Sequence, residues 1–316
     1  MVIKDELYGE VEVSNPVLLE LIGSDSLKRL KEISQYGVPD QYYFKKNFNR
    51  FDHSIGVMLL LKSLGASLEE QVAGLLHDVS VTSFSHIADW VLSEGHLGQE
   101  DYHDSIHETF VSKTDIPGIL KKYKFSTERI LDDKNFLLLE NNLPYICADR
   151  VDYALREIFY TYDPEIVKEC LSALTVNKNI LVFCELSAAG LFANKFLDLQ
   201  ITHWGSEEAV KRYFFFSNAL KRGIKLNILS PGDFWKSEKE ILQIIETNKD
   251  QQIKEILKSL SNDDMPTVGE KVYKKFRYVD PFVSTGQGLK RVSSLDKKFA
   301  KRLEYERSSN LKGILV

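Results

Sequence analysis

Cysteine is scarce in this chain, long apolar runs are missing, and there is no excess of positive charge. Three cysteines in 316 residues, Cys147, Cys170 and Cys184, are an odd number without metal-ligand spacing. That excludes a disulfide framework and points to a reduced, cytoplasmic compartment. No stretch approaches the roughly eighteen apolar residues that span a bilayer, and Met1–Glu6 lacks the apolar core of a signal peptide. A net charge of -5 argues against a surface built to coat nucleic acid. Internal repeats, low-complexity tracts and long linkers are also missing. What remains is an ordinary globular composition, 43% hydrophobic and 28% charged. It is long enough for one large core, or for one core with a small appendage.

The patterning is mainly α. Asn15-Pro16 predicts an N-cap and a first-turn proline for a helix through Ile22. Asp25 is expected to cap the next helix, with Leu27, Leu30 and Ile33 on one face before Gly37. A helix is expected from His53 to Leu64, and Ser67-Leu68-Glu69-Glu70 has the form of a capping box for another. Further helices are expected over Phe84–Ser93, closing near Gly95, and over Pro144–Tyr160, Gly190–Leu199, Ser206–Arg222 and Ser294–Arg307, with one more opened by Asp163-Pro164. Asn179–Phe183 and Lys271–Val283 read as strands. Residues 1–225 are taken as a helical domain and 226–316 as a small α+β appendage, divided near the break at Pro231-Gly232.

Chemistry concentrates in the first half. Six of the seven histidines lie between His53 and His107, and histidine is both a common metal ligand and the usual acid or base near neutral pH. His53, the adjacent pair His77-Asp78, and Asp149 supply two imidazoles and two carboxylates. That donor set suits manganese, magnesium, iron, nickel or zinc. His86 and Asp89 are spaced to share a helical face, as are Asp149, Tyr153 and Arg156. Arg50 precedes His53 by one turn, and Arg150 adjoins Asp149. Guanidinium groups suit bidentate phosphate binding. His96 and His203 read as surface residues. Lys45-Lys46 and Lys274-Lys275-Arg277 are interrupted by acids and read as solvated faces rather than a nucleic-acid groove. Gly286-Gln287-Gly288 reads as a turn rather than a phosphate loop.

The ordered segments Leu27–Gly37, Asn49–Val57, His77–His86 and Cys147–Tyr153 resemble HD-domain metal-dependent phosphohydrolases, in particular the deoxynucleoside-triphosphate triphosphohydrolase (dGTPase-like) branch. The resemblance covers about the first half of the chain. It implies an HD-domain helical bundle holding one divalent metal through His53, His77, Asp78 and Asp149. It implies catalytic roles for His86, Asp89, His107 and Glu108, with His103 a competing match to His107. It implies substrate contacts from Gln35, Arg50, Arg150 and Tyr153. The expected activity is hydrolysis of a nucleotide, foremost a (deoxy)nucleoside triphosphate, by metal-activated hydroxide attack on phosphorus. The family often forms dimers or larger oligomers, so a homodimer is expected. One departure stands out: Val81 occupies a position where the family usually has a histidine facing the reacting phosphate. Two other readings therefore stay open. One is a nucleotide-binding regulatory protein with little or no turnover. The other is an HD-type nucleotidase or phosphodiesterase.

Overall fold

The computed structural model describes the backbone of residues 1–92 and 102–316, and the side chains of residues 1–92 and 105–316. The fold is mainly α, as expected. An N-terminal hairpin pairs β1 (Val2–Asp5) with β2 (Gly9–Glu12), Asp5 lying opposite Gly9. Short helices α1 (Pro16–Ile22) and α2 (Asp25–Lys28) follow. Then come α3 (Arg50–Ser63), α4 (Leu68–Leu76), α5 (His86–Leu92) and α6 (Tyr102–Val111). Two small helices, α7 (Ile116–Lys122) and α8 (Thr127–Ile130), lead to the long α9 (Ala148–Thr161) and α10 (Pro164–Ala173). Strands β3 (Leu174–Asn177) and β4 (Ile180–Phe183) precede α11 (Leu186–Leu199), α12 (Glu207–Lys225), α13 (Glu238–Thr247) and α14 (Gln251–Ser261). The chain ends with β5 (Lys271–Val272), β6 (Phe282–Thr285), β7 (Gly288–Arg291), α15 (Val292–Leu295), α16 (Lys297–Asn310) and β8 (Ile314–Leu315).

Local chemistry explains several differences from the sequence-based expectations. Ser24, not Asp25, caps α2, because its hydroxyl accepts from the Leu27 amide at 3.2 Å. The helix carrying His53 begins earlier, at Arg50, because the Asn49 side chain accepts from the Asp52 amide at 2.8 Å. Ser67 accepts from the Glu70 amide at 3.1 Å, but the expected capping box is only half made. Glu70 instead accepts from the amides of Leu138 and Leu139, at 2.9 and 3.3 Å. Phe84 and Ser85 take left-handed φ values of 67° and 45°, so α5 starts at His86 rather than Phe84. The segment expected to close near Gly95 lies outside the described residues. The helix expected from Pro144 begins at Ala148. The expected strand over Lys271–Val283 is two separate strands, β5 and β6.

A four-stranded sheet has the order β3-β4-β6-β7, with β4 and β6 parallel through Phe183 and Val283. Residues from both sides of position 225 therefore share one sheet. They also share both hydrophobic cores. The larger core packs α1, α3, α4, α9, α10 and α11 with residues such as Val283 and Phe299. The second packs Tyr36, Tyr43 and Phe84 against α12, α13 and α14. Tyr153, on α9, touches both, and the candidate site lies along that seam.

Candidate metal centre and its cavity

Three helix ends or faces meet at the site. His53 lies one turn into α3, His77 directly follows α4, and Asp149 is in the first turn of α9. His53 Nε2 is 3.0 Å from Asp149 Oδ1 and 3.3 Å from His77 Nε2, and His77 Nε2 is 3.5 Å from the same Asp149 oxygen. Asp78 Oδ2 is 3.8 Å from His53 Nε2 and 3.6 Å from His77 Nε2, so it joins the rim of this group. That oxygen is also 2.5 Å from Arg50 Nη1.

The imidazole tautomers support a metal. His77 Nδ1 donates to the Gly74 carbonyl at 2.7 Å, an atom that can only accept. His53 Nδ1 donates to the Asp152 carboxylate at 2.8 Å. Both rings therefore turn Nε2 toward Asp149. Metal-bound histidines show this arrangement, one nitrogen on the ion and the other N–H anchored to a carbonyl or carboxylate. The residues present fit a divalent cation.

Charge agrees with geometry. Burial pushes the His77 pKa down, but Asp78 and Asp149 overcome this and hold it at about 10. His53 is also raised: burial opposes the shift, and hydrogen bonds to Asp149 and Asp152 override it. Burial would raise Asp149 and Asp78, yet both are lowered, Asp149 by the two imidazoles and Asp78 by Arg50 and those same histidines. The cluster therefore draws positive charge to its centre. A proton or a divalent ion can supply it, and the two compete.

His77, Asp78 and Asp149 open into a cavity of about 350 Å³, also lined by Arg50, His86 and Tyr153. Gln35, Asp133, Glu140, Arg150, Lys275 and Arg277 complete its polar wall. A smaller chamber of about 90 Å³ adjoins it and shares Gln35, Arg50, His86, Tyr153 and Arg277. Its remaining wall is largely aromatic, with Tyr36, Tyr43, Trp204 and Tyr213.

The expected substrate residues are thus brought together, though they differ in what they can still do. Arg50 is nearly buried. Its Nε donates to Ser85 Oγ at 3.0 Å, and its Nη2 has no hydrogen-bond partner among the described residues. Gln35 Oε1 is likewise buried without a partner there. Arg150 is engaged locally: Nη2 bonds Glu140, and Nη1 bonds the Asn141 carbonyl and Cys147 Sγ. Burial, and then Asp149, raise Glu140 to about 7, while Arg150 opposes the shift.

His86 Nδ1 lies 3.0 Å from Asp89 Oδ2, as their spacing predicts, and the imidazole faces the cavity. His107 Nδ1 instead meets Ser80 Oγ at 2.7 Å, and Glu108 is exposed. Neither lines the cavity. His96 and the His103 side chain lie outside the described residues. Val81 is 3% exposed within the larger core. Its carbonyl accepts from Arg29 at 2.7 Å, so this position serves packing rather than the cavity wall.

Several contributors are not evident from sequence. Arg156 does not face the cavity with Asp149; it turns to Asp152 and Asp5, at 2.9 and 2.7 Å. His203 is buried rather than a surface residue. It pairs with Glu157 and meets the Tyr43 hydroxyl at 2.8 Å in the aromatic chamber. Lys275 and Arg277 are visible in the sequence as a basic cluster, but nothing in their spacing carries them to Asp149. Asp152 stands beside Asp149 in sequence, and only the fold shows it behind His53.

Comparison with known proteins places the chain among relatives of one fold. A family model described as "HD domain" matches residues 50–141. The chain is 34% identical to the uncharacterized protein YdhJ of Bacillus subtilis, covering 100% of this chain and 98% of that one. It is 41% identical to the metal-dependent phosphohydrolase cns2 of Cordyceps militaris, over 50% of this chain and 45% of the other. A shorter match, 34% identical, is to the deoxynucleoside triphosphate triphosphohydrolase SAMHD1 of Danio rerio, over 28% of this chain and 16% of the other. The chain thus spans almost all of the Bacillus protein but less than half of the two named hydrolases. Among solved structures, a hypothetical protein from Aquifex aeolicus superposes with a TM-score of 0.73. That match covers 95% of this chain and 93% of that one at 21% identity. It establishes the shared fold. Among the described residues, no helix is long and apolar enough to cross a membrane.

Proposed function

The chain belongs to the HD-domain family of metal-dependent phosphohydrolases, and we propose that its substrate is a nucleotide, foremost a (deoxy)nucleoside triphosphate. The observation that carries this reading is the pairing of two chambers. One joins the His53, His77 and Asp149 cluster to Arg50, Lys275 and Arg277. The other is aromatic and shares a wall with it. A polyanion suits the first, and the aromatic wall of the second suits contact with a flat base held across the two.

His53, His77 and Asp149 would hold the metal, with Asp78 at its rim. When bound, it would supply Lewis acidity and a more acidic water. Arg50 offers its Nη2 hydrogens to a phosphate oxygen, while Nε and Nη1 hold the guanidinium in place. Lys275 and Arg277 offset the remaining phosphate charge. His86, steadied by Asp89, moves a proton to the leaving oxygen. Gln35 Oε1 accepts a hydrogen bond from the sugar or base.

A product assay tests this, using purified protein and a panel of ribo- and deoxyribonucleotides with Mn²⁺, Mg²⁺, Ni²⁺ and Fe²⁺. Inorganic triphosphate plus nucleoside is the expected outcome. Orthophosphate released from monophosphates would make the protein a nucleotidase. A nucleotide that raises the melting temperature without being consumed would make it a binding protein. Asp149→Ala is expected to lose both metal binding and turnover; retained turnover would remove Asp149 from the metal site.

A further inference from the structure

We infer that Tyr8, on the N-terminal hairpin, is a positioning residue for the metal ligand His53, acting through Asp152. The inference rests on the reading that His53 binds the metal. The hairpin lies outside the residues that match the HD-domain model.

Asp152 is fully buried on α9, behind the metal cluster. Its Oδ2 accepts from His53 Nδ1 at 2.8 Å and from Arg156 Nε at 2.9 Å. Its Oδ1 accepts from the Tyr8 hydroxyl at 2.8 Å. A carboxylate turns readily about its last bond, so donors on both oxygens are needed to fix its plane. Loss of the Tyr8 donor leaves a buried acceptor unsatisfied and frees the carboxylate that sets the His53 ring.

The hairpin is built to present that hydroxyl. Asp5 Oδ1 accepts from the amides of Leu7 and Tyr8, at 2.9 and 3.1 Å, closing the turn. Asp5 Oδ2 accepts from Arg156 Nη2 at 2.7 Å. One carboxylate thus shapes the turn and ties it to the guanidinium that also holds Asp152. The space for this network comes from Gly56 on α3. A Cβ there would lie 2.1 Å from both Arg156 Nη2 and Asp152 Oδ1.

The test is calorimetric titration of Mn²⁺ into the metal-free full chain. Tyr8→Phe keeps the ring and deletes one hydroxyl, and is expected to weaken Mn²⁺ binding about tenfold or more. Tyr160→Phe removes a different hairpin contact, to Glu6, without touching Asp152, and is expected to bind as the unaltered chain does. In the metal-free protein, the His53 Nδ1–H proton should exchange slowly with solvent, and faster in Tyr8→Phe. Unchanged affinity in Tyr8→Phe overturns the inference. Equal weakening by Tyr160→Phe also overturns it, since general docking of the hairpin would then be the cause. Should Tyr8→Phe not fold, Asp5→Asn carries the same decision one link farther out: weakened binding supports the relay and unchanged binding overturns it. Failure of the unaltered chain to bind Mn²⁺ would instead remove the metal reading itself.

Discussion

Two buried carboxylates stand behind the site, and they brace it by different means. Asp152 stands between the Arg156 guanidinium and the His53 ring. Burial would raise its pKa, yet Arg156 and His53 hold it below the ordinary value. Glu238, the first residue of α13, accepts among the described residues only from the amides of Ser34 and Phe84, both at 3.0 Å. Burial dominates there and pushes it up to about 7. Asp152 is held as a charged acceptor that orients the His53 ring. Glu238 pins the left-handed turn at Phe84 and Ser85, through which Ser85 reaches Arg50. The two amides lower the Glu238 pKa but do not offset its burial. Accepting from the His53 Nδ1–H favours the ionised form, and the Arg156 brace supplies it.

Removing the ionic brace should have the largest effect. Asp152→Ala leaves Arg156 and His53 without their shared acceptor, and stranding one partner of a buried pair costs about 3–5 kcal/mol. Denaturant unfolding should show that loss, and Mn²⁺ binding should fall with it. Stability lost with Mn²⁺ affinity unchanged would separate Asp152 from the metal.

Filling the space in front of the brace should come next. Gly56→Ala places a methyl group against Arg156 and Asp152, and overpacking of this kind costs about 1–3 kcal/mol. A lower melting temperature together with weaker Mn²⁺ binding is expected. An unshifted melting temperature would mean that α3 and α9 can part without cost.

The neutral brace gives the smallest and most selective effect, a pH slope. The folded-state pKa of Glu238 lies above its ordinary value of 4.5, so the folded state binds the proton more tightly. The associated stability is fully present below about 4.5 and is lost as pH rises through about 7. Asp40 and Arg50 are the charged groups acting on it, with opposite signs. Glu238→Gln keeps an acceptor for both amides but cannot ionise. Its melting temperature should therefore fall less than that of the unaltered chain between pH 4.5 and pH 8. Parallel curves for the two proteins would assign the slope to other groups.

Much of the site is legible in the sequence. His53, His77, Asp78 and Asp149 sit in short motifs whose helices put each side chain where its neighbours in sequence suggest, and His86 with Asp89 follows from one helical turn. The start of α3 is less legible. It falls at Arg50 rather than His53, because Asn49 takes the cap through its own side chain. The split capping box at Ser67 is also hidden, since Glu70 is drawn to amides of Leu138 and Leu139 far along the chain.

Sequence alone determined the helical class, the family and the candidate metal donors, because these depend on residue type at local spacing. Tertiary structure decided which side chains face the candidate metal cluster, which face away, and what else reaches the cavity. Asp149 and Asp152 are the same residue type one turn apart. Their different surroundings, an open chamber and a buried arginine, come from what packs against each side of α9. Lys275 and Arg277 arrive at Asp149 from more than a hundred residues away. Contacts of that range are set by how the cores pack, and packing depends on the whole chain at once rather than on any segment of it.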